Sequence, residues 1–362
     1  MRMGITRMKS HICQLFSIFL LLVPSLSNAQ ESLNILTWEA YMDTDMIERF
    51  ELEYDVDVKV AYFDSDEIRD QILASQAGRQ IDVVLMDSQH LHLYAAGDRL
   101  EEISTDEVPN LTFLSSDIQQ ACSKNDSHYG VAFSWGTLGI VYRPDIVDPE
   151  TINSWQKFLN PPAELRQHIG GHVDLFDTLI PALISLKYSV SSNDRNELRE
   201  AFELTKKWLS DVLTLDYVLT FIQSHPRADE LYVALAYSGD QHVLSSMVGQ
   251  PEWNYLIPSE GTLRWIDCFV IGKNSNNKRV AKQFLNFIQR PENAAKNADF
   301  TYTATPNMSA LPLTTEEYRK SADIFLTPEQ MAKTQPYEPA TIEAINLRSR
   351  ILSALEKYHA TQ

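Results

Sequence analysis

Acidic and aromatic side chains in this sequence stand beside one another at the ends of apolar runs. Trp38-Glu39-Ala40-Tyr41 follows the run 33–37, Asp87 ends 81–86, Tyr237 and Asp240 follow 231–236, and Trp265-Ile266-Asp267 opens a run ending at Ile271. Carboxylates accept charge-assisted hydrogen bonds from ammonium groups, while aromatic faces attract cations and cover the methylenes between them. The chemistry this suits is recognition of a slender organic cation. Asp267 is the sharpest case, because a carboxylate at the start of an apolar strand costs several kcal/mol if buried without a partner. Trp265, two residues away, shares its face of the strand.

Each residue also has an ordinary reading. Asp267 could pair with an arginine or cap a backbone. Asp174 and Asp177 stand three apart, which puts both on one side of a helix start, where acids are commonplace. Trp38 and Tyr41, taken alone, would more often be core aromatics. His90 with His92, and His168 with His172, do not supply four ligands in a closed arrangement, so no metal is expected. No nucleophile elbow, zinc-protease helix, Cys-x-x-Cys or phosphate-cradling loop is present, and no cofactor is expected. Paired carboxylates could hydrolyse a glycoside, but with aromatic strand ends around them, binding is the better account.

The elements that must position these residues alternate strand and helix. Residues 33–37, the alternating Val56-x-Val58-x-Val60-x-Tyr62 and the run 81–86 read as strands, with helices over 43–54 and 65–77 between them. That alternation predicts a parallel sheet covered on both faces, with ligands beyond the carboxyl ends of its strands. Further on, 133–142, 231–237 and 264–272 read as strands, and 174–188, 195–209, 278–289 and 341–358 as helices.

Residues 1–29 read as an export leader: Arg2, Arg7 and Lys9, then the apolar stretch 15–23, then Pro24 and the small residues Ser27-Asn28-Ala29. The apolar stretch is shorter than the ~20 residues of a membrane span. Cleavage after Ala29 removes three basic residues and no acids, taking the formal charge from −18 to −21. Such a surface argues against nucleic acid as partner and concentrates cations near any cleft. The remaining length, about 330 residues, suggests two domains. Cys122 and Cys268 remain; export permits a disulfide, and burial as free thiols is slightly favoured.

With those residues in view, the chain resembles the periplasmic spermidine/putrescine-binding proteins over nearly its whole mature length. The resemblance lies in Trp38-x-x-Tyr41, the strand ending at Asp87, Ser134-Trp135-Gly136, Asp174-x-x-Asp177, Tyr237, Trp265-x-Asp267 and Thr305-Pro306-Asn307. It implies a two-lobed α/β periplasmic binding fold with a ligand cleft between discontinuous lobes, 30–137 plus 266–313 and 138–265 plus 314–362. Glu39, Asp87, Asp174, Asp177 and Asp267 would take ammonium groups, and Trp38, Tyr41, Tyr237 and Trp265 would sheath the ligand chain. Glu39 and Asp87 replace neutral residues of the family pattern, and Leu175-Phe176 separates the two acids where the family has an arginine. The site therefore looks more anionic than usual, which suits a triamine better than putrescine. The late tyrosine of the pattern falls at Tyr302 or is replaced by Thr303. These departures also resemble the family's signalling branch, which senses norspermidine and reports to an inner-membrane receptor with GGDEF and EAL domains controlling biofilm formation. Delivery to an ABC permease is the alternative partner. Either way the resemblance implies a periplasmic, non-enzymatic monomer.

Overall fold

The computed structural model describes residues 30–362 apart from positions 64, 248 and 323; the expected leader, with Cys13 and the cleavage point, lies outside the described residues. The chain opens with β1 (Glu31–Trp38), α1 (Thr44–Tyr54), β2 (Val56–Phe63), α2 (Asp66–Ala74), β3 (Val83–Asp87) and α3 (Ser88–Ala96). Local chemistry sets these boundaries. Ser65 accepts from the Ile68 N–H to start α2, and Asp55, at φ 52°, ends α1 in the left-handed region. Asp87 is at once the last residue of β3 and the cap of α3.

The middle of the chain supplies β4 (Gly130–Tyr142), β5 (Ile169–Gly170), α4 (Ile180–Ser185), α5 (Arg195–Trp208), β6 (Val212–Thr214), β7 (Val233–Tyr237) and α6 (Asp240–Ser246). Then follow β8 (Thr262–Ile271), α7 (Lys278–Ile288) and the C-terminal α8 (Ile342–His359). The strands lie in the order β2-β1-β3-β8-β4-β7-β5-β6. β1 is parallel to β2 and β3, and β5 is parallel to β6 and β7, as the alternation predicts. The all-parallel expectation fails at the centre: β8 is antiparallel to both β3 and β4, and β4 to β7.

The reason lies in two separate cores. One gathers Leu33, Phe50, Leu85, Phe269 and Phe284; another gathers Trp155, Ile169, Leu183, Leu235 and Ile351. β4 gives Val131–Phe133 to the first and Leu138, Ile140 and Tyr142 to the second, while β8 gives Ile266 and Phe269 to the first and Leu263 and Trp265 to the second. Both long strands thus change cores in mid-length. One carries the chain across and the other carries it back, so they run antiparallel.

Three further expectations are corrected. β8 begins at Thr262, so Asp267 sits in mid-strand rather than near its start. The helix expected over 174–188 is a turn followed by the short α4, because Pro181 is accommodated in a first helical turn and not in an interior. Cys122 and Cys268, both fully buried, form a disulfide with a Cα–Cα separation of 5.9 Å, joining the segment before β4 to the middle of β8. Among the described residues, no helix is long and apolar enough to cross a membrane.

Candidate functional site

Asp267 lies where the two long strands change cores. Its register partners are Asp87 on β3 and Ser134 on β4. The Tyr41 hydroxyl donates to Asp267 at 2.6 Å and also lies 2.7 Å from the Ser134 hydroxyl. Burial, and then the Asp267 charge, push the Tyr41 phenol well above its ordinary range, so it stays a donor. Burial pushes the Asp267 carboxyl up to about 7 against the Tyr41 hydrogen bond, with the charges of Asp87 and Asp66 adding to the rise.

A second carboxylate has the same design. Asp177, 5% exposed, accepts from the Tyr237 hydroxyl at 2.6 Å and from the Tyr337 hydroxyl. Burial and the neighbouring Asp174 charge lift it to about 8, against those two hydrogen bonds. Asp174 itself accepts from the Phe176 and Asp177 N–H groups at 2.7 and 2.8 Å, which builds the turn that presents Asp177. The buried Arg348 of α8 holds the same turn by donating to the Phe176 carbonyl at 3.3 Å.

A third is Asp240, at the start of α6. It accepts from the Tyr217 hydroxyl at 2.7 Å and the Tyr237 N–H at 2.8 Å, and burial raises it to about 6 despite them. Aromatic rings join the acids into one site. The Tyr237 ring stands 6.2 Å from Trp265 and 6.0 Å from Tyr217, both steeply inclined. Among the described residues, none of Asp177, Asp240 and Asp267 has a basic side chain within 4.0 Å.

Asp87 is placed differently. It caps α3, accepting from the Gln89 and His90 N–H groups at 2.8 and 3.0 Å, and it hydrogen-bonds the His90 ring. The Arg69 guanidinium lies 3.9 Å away and bonds Asp66 at 2.5 Å. Burial opposes ionisation of Asp87, but the His90 charge and hydrogen bond, with Arg69, hold its carboxyl well below the usual range. His90 is pushed up to about 9 by Asp87 and Asp66 against burial. The negative charge that Asp87 adds is therefore cancelled on the spot, contrary to the expectation of a more anionic site. Asp66, Asp87 and His90 hold ligand atoms within 4.8 Å of one another, as a metal site would, but here the guanidinium supplies the positive charge.

The structure thus brings together Tyr41 with Asp267, and Asp174, Asp177, Tyr237 and Trp265 with one another. Trp38 packs at the end of β1 against Phe63, with centroids 4.3 Å apart. Glu39 stands exposed on the turn that follows, outside the buried set. Sequence reasoning missed Tyr217, Tyr337 and Arg69, weighed His90 only as a metal ligand, and left Asp240 without a role. The buried Gln89 amide, in the first turn of α3, and the Thr37 hydroxyl, next to Trp38, have no hydrogen-bond partner among the described residues. Tyr302 ends the 291–301 helix and packs on His242 at 4.7 Å, while Thr303 meets Thr301 at 2.8 Å.

Known proteins share this arrangement of chain. Over 324 residues the sequence is 28% identical to the norspermidine sensor of Vibrio cholerae serotype O1, covering 89% of this chain and 88% of that one. It is also 28% identical over 338 residues to a putrescine-binding periplasmic protein of Pseudomonas aeruginosa, covering 88% and 90%. A Listeria monocytogenes structure ascribed to spermidine/putrescine ABC transport superimposes with a TM-score of 0.80 at 25% identity, over 91% of this chain and 99% of that one. The spermidine/putrescine substrate-binding protein of Streptococcus pneumoniae gives 0.76 at 24%, again over 91% and 99%, and shares the fold. That fold is the two-lobed α/β architecture expected from the sequence. The pattern of the bacterial extracellular solute-binding proteins matches residues 45–325, and the chain belongs to that family.

Proposed function

We propose that this chain is a periplasmic polyamine-binding protein, exported by the leader 1–29, that senses a triamine such as norspermidine and does no catalysis. The observation that carries the reading is the set of three carboxylates, the buried Asp177 and Asp240 and the partly buried Asp267, served by phenols and, among the described residues, without a basic partner. Buried carboxylates are stable only when neutralised or paired. A flexible cation with amino groups spaced along an alkyl chain pairs several at once, and the rings of Tyr41, Tyr237 and Trp265 cover its methylenes. Trp38 and Asp174 complete the proposed lining. The lobes proposed are 30–137 plus 266–313 and 138–265 plus 314–362, closing on the ligand as one binding unit in a monomer.

The relatives support both ways of using a bound polyamine, since one is a sensor and another is a putrescine-binding periplasmic protein at the same identity. We read this chain as reporting to an inner-membrane GGDEF/EAL receptor, with delivery to an ABC permease as the rival. Calorimetry on the mature protein should show binding of norspermidine and spermidine, weaker binding of putrescine and none of sugars or neutral amino acids. Equal binding of an uncharged ligand would overturn the polyamine reading. Deleting the gene should alter receptor output and leave labelled spermidine uptake intact; loss of uptake would favour the permease.

A further inference from the structure

We propose that Arg69 and His90 act as the protein's own cations at one end of the acidic site, and so set an upper limit on the number of ligand ammonium groups it accepts. The proposal rests on the polyamine reading above. Arg69 is 1% exposed, an unusual place for a guanidinium on a short helix, and its Nη1 bonds Asp66 at 2.5 Å and lies 3.9 Å from Asp87. His90, 6% exposed, hydrogen-bonds Asp87 and stands 3.5 Å from Asp66.

Two partly buried acids, Asp66 and Asp87, thus meet two buried bases and are paired by them, while Asp70 takes the outer side of the Arg69 guanidinium at 3.1 Å. The group is also part of the site. Asp87 is the cross-strand partner of Asp267, and the His90 ring meets Phe176, between Asp174 and Asp177, with centroids 6.0 Å apart. Arg69 tempers the rise of the Asp267 carboxyl, so the two groups sense each other's charge. An ammonium reaching Asp87 or Asp66 would meet a guanidinium and an imidazolium at close range in a partly buried space. Like charges so placed disfavour a partner strongly. Diamines and triamines can be served by Asp177, Asp240 and Asp267 alone; Asp174 is already engaged by two backbone N–H groups, so a tetramine's fourth charge falls to Asp87 or Asp66.

The test is a calorimetric panel of putrescine, norspermidine, spermidine and spermine with wild type, Arg69→Lys, Arg69→Gln and His90→Gln, each checked for a cooperative melt. Wild type and Arg69→Lys should prefer the triamines over spermine. Arg69→Gln and His90→Gln, which uncover a carboxylate, should move the spermine-to-spermidine affinity ratio by about tenfold or more toward spermine, as expected for one charge-assisted pair. If Arg69→Gln does not fold, His90→Gln decides on the same ratio. A ratio unchanged in the folded variants refutes the proposal while leaving triamine binding standing. A wild type that binds no member of the panel instead refutes the polyamine reading itself.

Discussion

Replacing Asp267 by Asn should weaken binding and strengthen the empty protein, and the two effects can be sized separately. The Asn amide is nearly isosteric and its oxygen still accepts from Tyr41, which donates at 2.6 Å in the native site. Only the charge is lost. Truncating one member of a desolvated charge pair costs about 2–5 kcal/mol, or roughly 30- to several thousand-fold in affinity. The stability effect has the opposite sign. The Asp267 carboxyl titrates at about 7 in the folded chain against about 4 when unfolded. The native state therefore binds the extra proton, and this stabilisation is complete below pH ~4 and lost as pH rises through 7. Three pK units correspond to an order of 4 kcal/mol of burden at pH 8, which Asn removes. In ligand-free protein, Asp267→Asn should thus melt several degrees above wild type at pH 8, with a much smaller gain at pH 5, while calorimetry shows the affinity for spermidine reduced at least 30-fold. A variant that binds spermidine as wild type does, or that melts below wild type at pH 8, would falsify the placement of Asp267 as an ionised, ligand-neutralised group.

The remaining acids extend the same logic. With Asp66 and Asp267 raised to about 7, Asp177 to about 8 and Asp240 to about 6, the ligand-free protein should lose stability steadily from pH 5 to pH 8. Saturating spermidine should flatten the decline, and calorimetry at pH 7 in two buffers of different ionisation enthalpy should detect protons released on binding; a ligand-free melting temperature that rises over this range would count against the site. Intact mass of oxidised protein should be two hydrogens below that of the reduced form, and exchanging both Cys122 and Cys268 for serine should cost about 2–5 kcal/mol in denaturant unfolding, as loss of a native cross-link does; identical midpoints would show that the bridge adds nothing.

Which parts of this site were legible in the sequence follows from the range over which its contacts act. Asp267 stood out because a carboxylate inside an apolar strand has no cheap local partner, and the structure gives it a phenol from 226 residues away. The strand-end aromatics were legible for the same reason of local contrast. Asp87 was read as a free acid, but its neighbour three residues on, His90, is a common capping geometry that the sequence did display. Arg69 was not legible: Asp66-Glu67-Ile68-Arg69-Asp70 looks like a solvated helix start, and only the packing of α2 beside β2, with the Phe63 ring 5.8 Å from the guanidinium, buries it. Tyr337, 160 residues from Asp177, and the 146-residue disulfide loop are tertiary facts with no local trace. Pro181, by contrast, was in plain view, and it shortens the helix expected over 174–188 into a turn that carries Asp174 and Asp177.

The placement of charge at the point where β4 and β8 change cores has a mechanical consequence. Tyr41 packs on the first core and Tyr237, the partner of Asp177, on the second, while Asp240 is held by Tyr217 beside a smaller cluster around Leu244, and these groups feel each other: Asp87 raises Asp177, and Asp240 raises Tyr41. Ionised and without a ligand, Asp87 and Asp177 repel across the line about which the proposed lobes would move, so the charge proposed to bind a polyamine would also favour opening. A polyammonium ligand reverses the sign of that interaction and favours closure by as much as its affinity differs between the two states. Protons compete with the ligand for the same carboxylates yet relieve the same repulsion. The pH-dependence of stability in the empty protein and the proton release on binding accordingly read the same desolvated carboxylates, Asp177, Asp240 and Asp267 together with Asp66.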